Sequence, residues 1–157
     1  MKTISKDKFP EFITKIAKET DYDYDSEFAQ LFGVKIVEDS FESVRIRADR
    51  DVYELLDSDN IELLVEASQY DYITVGTCGW AAPIDNVNSD NDDLPPSQHP
   101  ERTRVKLFCT SNSKQIGSSV LFRDKKDQEP TNDLGNARGS LADSFNAFVK
   151  ESFKFKL

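Results

Sequence analysis

The chain has 157 residues, of which 38% are hydrophobic and 31% charged, and its formal net charge is −9. That length closes one hydrophobic core, and eleven Phe with five Tyr supply core material that a disordered chain lacks. Two cysteines without metal-type spacing exclude a disulfide framework, no stretch approaches the ~20 apolar residues of a membrane span, and the acid excess argues against direct nucleic-acid binding.

Residues 5–18 read as a helix, because Phe9, Phe12, Ile13 and Ile16 fall at helical spacing and Pro10 suits a first turn. After the polar break at 21–25, Asp25 or Ser26 is expected to cap a short helix ending near Gly33, with Phe28, Leu31 and Phe32 on one face. Residues 34–37 and 43–48 predict a hairpin turning through 38–42, with Val44 and Ile46 on one side and Arg45 and Arg47 on the other. A helical turn at 51–56 precedes a helix capped by Ser58 or Asp59 and running to Ser68, with Ile61, Leu64 and Val65 on one side.

Residues 71–78 predict a strand with Ile73 and Val75 on one side. A loop over 79–102 follows, long for a compact domain and so a place to look for function. Residues 103–110 and 116–123 predict a second hairpin, with Val105, Leu107 and Cys109 inward. A polar loop at 125–136 leads to a last helix over about 141–152, whose Leu141, Phe145, Phe148 and Val149 form an apolar face. Ser140 and Asp143 supply a capping box. Strands joined by short turns, interleaved with helices, predict one α+β domain over 1–157. It is an antiparallel sheet of about five strands with helices packed mainly on one face.

Charge divides the chain. Residues 1–75 carry 18 acids and 9 bases, net −9, whereas residues 76–157 carry 11 of each, net zero. An acidic half can attract a basic partner or simply confer solubility. No positively charged leader with an apolar run is visible, so the expected compartment is the cytoplasm, with both thiols reduced.

The chemistry concentrates around the long loop. It holds the only Trp, Trp80, and the only His, His99. His titrates near neutral pH, and Glu101 is placed to orient it or to act as a base, which makes these two the candidate proton-transfer pair. Trp80, Arg102, Arg104, Arg123, Arg138 and Ser140 are the candidate anion- or partner-binding residues, because guanidiniums grip anions and a helix start beside Arg138 suits phosphate or carboxylate. The blander alternatives are a proline-flanked turn that seats a strand, an apolar lid from Trp80 and a plain N-cap at Ser140. Asp21, Asp23 and Asp25, and Asn88, Asp90 and Asp92, imitate half of a calcium loop but lack its glycine and final glutamate. No metal or cofactor is expected. Phosphate-binding glycine loops and a nucleophile elbow are lacking.

The segments GWAAP at 79–83, PSQHPERxRV at 96–105, SVLxR at 119–123 and ARGSLAD at 137–143 together resemble an uncharacterised family of small proteins of bacteriophages and some bacteria. The resemblance covers roughly residues 70–150. It implies a viral origin, and with it a host or viral partner, but no activity. It leaves the acidic residues 1–70 as an addition outside the shared part. Three functions are consistent with these readings. The first is a non-enzymatic protein-binding or regulatory module. The second is a small enzyme or ligand-binding domain for a phosphate-bearing or other anionic substrate. The third is a virion component, which requires self-assembly, and a homo-oligomer is compatible with each.

Overall fold

A computed structural model describes residues 2–21, 26–57, 59–81, 98–123, 129–133 and 140–156. The elements, in chain order, are α1 (Phe9–Glu19), β1 (Ala29–Val37), β2 (Ser40–Arg50), α2 (Val52–Leu55), α3 (Ile61–Ala67), β3 (Tyr72–Ala81), β4 (Thr103–Ser111), β5 (Ile116–Phe122), β6 (Thr131–Asp133) and α4 (Ser140–Phe153). The strands form one six-stranded antiparallel sheet in the order β2-β1-β3-β4-β5-β6. The fold is therefore α+β as expected, with six strands instead of about five.

Two hydrophobic clusters cover the two faces of the sheet. On one face, α2, α3 and α4 bring Leu55, Leu63, Leu64, Phe145 and Phe148 against Leu31, Ile73, Val75 and Cys109. On the other, α1 lays Phe9, Phe12, Ile13 and Ile16 against Val34, Ile36 and Tyr72. Most helices thus share one face, and α1 alone covers the opposite one. Hydrogen bonds tie α1 to the far edge. The Asn132 amide donates to the Pro10 carbonyl (3.1 Å) and to Thr14 Oγ1 (2.8 Å), and the Ser119 hydroxyl donates to Asn132 Oδ1 (2.8 Å).

Four local expectations change. Residues 29–33 are strand, not helix. β1 is hydrogen-bonded to β2 on one side and β3 on the other, and Leu31–Val34 is buried on both faces, the continuous apolar run of a central strand. The first hairpin turns through Glu38 and Asp39 alone, with Glu38 at φ 55°. In α3 the cap is Asn60, whose Oδ1 accepts the Leu63 amide at 3.2 Å. The inward residues are Leu63, Leu64 and Ala67, while Ile61 and Val65 are exposed. Part of the expected polar loop after β5 pairs as β6. By contrast, α1, β3, β4 and α4 present the apolar faces that their spacing predicts, and β5 pairs with β4 as the second hairpin.

Candidate functional site

β3 and β4 pair over their whole length, and the last register partners are Trp80 with Arg104 and Ala81 with Thr103. Directly opposed residues on antiparallel strands project to the same face, so Arg104 is held beside the Trp80 ring. Its guanidinium carbon lies 5.0 Å from the ring centroid. Arg102 reaches the same ring at 4.9 Å. Two cations thus stand over one indole that is itself 38% exposed. Each such contact is worth about 0.5–1 kcal/mol at an exposed site, enough to hold two like charges close together.

His99 builds the turn that delivers Arg102. The residue is 4% exposed, and its Nδ1 accepts the Glu101 amide at 3.0 Å. The His99 carbonyl accepts both the Arg102 amide (3.2 Å) and Arg102 Nη1 (3.2 Å). One guanidinium nitrogen is therefore fixed by the turn, while the group itself lies over Trp80. The His–Pro turn seats β4, and one ring nitrogen that a proton-transfer role would draw on is occupied by backbone. Glu101 is exposed, and it is its amide, not its carboxylate, that meets His99.

Arg123 is exposed and directly follows β5, whose last residue Phe122 pairs with Val105. It therefore stands at the same end of the sheet as Arg104. Ser140 is the first residue of α4, which packs on the face opposite to the one carrying Trp80. Arg138, most of the 79–102 loop, and the residues Asp23, Asp25, Asn88, Asp90 and Asp92 lie outside the described residues. Of the eight candidates, Trp80, His99, Arg102 and Arg104 come together, with Glu101 in their turn and Arg123 nearby.

Sequence reasoning passed over Lys106. It alternates with Val105 and Leu107 and so projects to the Trp80 face, opposite Cys78, yet its side chain is only 3% exposed. Its ammonium is paired with Asp21, just beyond the end of α1. A buried cation needs such a partner to offset its lost hydration. The signal was a lysine inside the apolar stretch Val105–Cys109 of β4. Among the described residues, no three His, Cys, Asp or Glu side chains converge as a metal site. None of the helices is long and apolar enough to cross a membrane among the described residues.

No family model matches the chain, and neither a curated protein nor a solved structure is significantly similar to it.

Proposed function

We propose that this chain is a non-catalytic protein-binding module whose rim at Trp80, Arg102 and Arg104 docks an acidic segment of a protein partner. One observation carries the reading: two guanidiniums converge on a single exposed indole. Guanidiniums are the groups that recognise carboxylates through paired N–H donors, and two of them gathered at one ring concentrate that chemistry at the rim. The aromatic ring adds apolar contact area at low conformational cost, as anchors of protein interfaces do. The resemblance to bacteriophage proteins suggests that the partner is a host or viral factor. A small phosphate-bearing ligand is the competing reading. The buried, backbone-bound His99 favours it less, because the proton-transfer role assigned to His99 and Glu101 needs a ring open to substrate.

Trp80 is the only tryptophan, so its fluorescence reports this rim alone. Capped oligoglutamate is titrated into the protein at low salt and again at high salt, with inorganic phosphate and oligolysine in parallel. The expected result is a saturable change in emission with oligoglutamate. It should weaken with salt and disappear in the Arg102→Ala/Arg104→Ala variant. A response to phosphate with none to oligoglutamate would replace the module by a small-anion site, and no response to either removes the rim from the function.

A further inference from the structure

We infer that the outer face of α3 is a second docking surface, one that takes a basic amphipathic helix of a protein partner. Ile61 and Val65 supply the apolar contact, and the carboxylates around them form its charged border. The surface is separate from the Trp80 rim and stands whether or not that rim binds an acidic segment.

α3 is apolar on two sides. Leu63, Leu64 and Ala67 are buried in the core, while Ile61 and Val65 face outward, 56% and 39% exposed. Residues four apart on a helix are neighbours, so these two make one stripe. A surface helix ordinarily carries polar residues on its outer side, and one that is apolar on more than one side is suited to being covered on more than one. The Ser152 hydroxyl on the Leu64 carbonyl places α4 against the adjoining side of α3, and the stripe beside it stays open. Seven residues span about 10 Å, the length of two turns of a partner helix.

Charge selects the occupant. No Lys or Arg stands between Arg50 and Arg102, and residues 51–68 carry Asp51, Glu54, Asp57, Asp59, Glu62 and Glu66. All are exposed except Glu66, which is half-buried. Among the described residues none of these carboxylates forms an ion pair. Glu62 and Glu66 each follow one residue of the stripe and so flank it along its length. The bases at its borders are engaged elsewhere. Arg50 pairs with Asp49 (3.1 Å) and Lys154 with Glu151 (2.8 Å), and Lys156 Nζ donates to the carbonyls of Ser68 and Tyr70 past the C-terminal end of α3. Lys150 is two residues from Ser152 and so points to the side of α4 away from α3. The surface is thus acidic without local compensation, and the net charge of −9 reinforces it. A helix with apolar side chains one turn apart and Lys or Arg beside them complements both features. A second copy would set the same carboxylates against one another, which disfavours it as the occupant.

The probe is a capped peptide of Leu and Lys patterned to give one apolar and one basic helix face. A shuffled peptide of the same composition and a Leu–Glu peptide of the same pattern are the controls. Amide shifts of the whole chain are followed by NMR. The Leu–Lys peptide is expected to shift Ile61, Glu62, Val65 and Glu66 saturably and to leave the Trp80 indole signal in place. Ile61→Gln/Val65→Gln should abolish binding, and Glu62→Gln/Glu66→Gln should weaken it about three- to tenfold, the loss of two exposed charge pairs. The Arg102→Ala/Arg104→Ala variant should bind the peptide as the native chain does, so that failure of the rim and failure of this surface are told apart. Equal binding of the shuffled or the Leu–Glu peptide overturns the proposal, as does binding that survives Ile61→Gln/Val65→Gln. Absence of shifts on α3 overturns it too, and so do α3 shifts that grow with protein concentration without peptide, which would make a second copy the occupant.

Discussion

His99 shows how one side chain sets a local geometry that reaches beyond it. Its Nδ1 holds the Glu101 amide and its carbonyl holds Arg102 twice, so removing the ring releases the turn that presents Arg102 to Trp80. Asparagine keeps an acceptor at nearly the same place, because its side-chain oxygen bonds the backbone amide two residues on. His99→Ala is therefore expected to shift Trp80 emission and lower its anisotropy, and His99→Asn to restore most of both. If the two variants behave alike, the hydrogen bond to Glu101 is not what orders the rim. Histidine was visible in the sequence as the single titratable ring near neutral pH, which suggested proton transfer. Its burial and its backbone partner emerge only when the chain folds back from β4 onto β3.

At the scale of elements, β1 is the strand that most depends on its neighbours. Phe28, Leu31 and Phe32 sit at helical spacing, and only pairing on both sides turns the segment into a strand. Gly33 lies at its centre, opposite Val44 and Ile73, with the Tyr70 ring laid directly over it. A Cβ at Gly33 would stand 2.2 Å from Tyr70 Cδ2, far inside contact distance. Gly33→Ala must then expel the ring or bend the strand, at a cost of roughly 1–3 kcal/mol for overpacking. Tyr70→Ala alone loses packing, but in the double variant the clash is gone. A denaturant-melting cycle should show the two substitutions costing clearly less together than the sum of each alone. Additive costs would mean that the ring moves freely and the close approach is unimportant. The same logic explains α3, whose Ile61 and Val65 suit a core-facing stripe by spacing. The helix is rotated so that Leu63, Leu64 and Ala67 pack inward. In seven residues several faces carry apolar side chains, and the Ser152 hydroxyl on the Leu64 carbonyl (2.7 Å) belongs to the contact with α4 that selects one.

Across the whole molecule, a sheet with a core on each face buries groups that ionise only at high pH. Burial pushes the Cys109 thiol up to about 12, from an ordinary value of 9.0, within the α2–α4 core. Burial likewise raises the Tyr72 hydroxyl in the α1 core. Both groups hold their protons in the folded chain after the unfolded chain has released them. The unfolded state then binds fewer protons, so stability is fully present below the unfolded pKa and falls as pH rises from about 9 toward 12. Urea midpoints should be level near neutrality and drop steadily above pH about 9, and Cys109→Ala should flatten part of that drop. A midpoint unchanged to high pH would show that neither core excludes water. The half-buried Cys78, by contrast, lies outside both clusters.

Composition and periodicity by themselves determined much of this protein. They set the α+β class, the antiparallel hairpins, the apolar faces of α1 and α4, and the concentration of chemistry-bearing residues around Trp80 and His99. These are local properties, since a period of two or of 3.6 needs only neighbours in the chain. Tertiary structure alone decided that β1 is a central strand and that α1 takes the face opposite to the other helices. It alone brought Arg102 and Arg104 over one ring, paired Lys106 with Asp21, and put β2 at the margin of the sheet. Each of these depends on segments far apart in sequence meeting across the sheet, where register and burial, set by the whole chain, override what any single segment prefers.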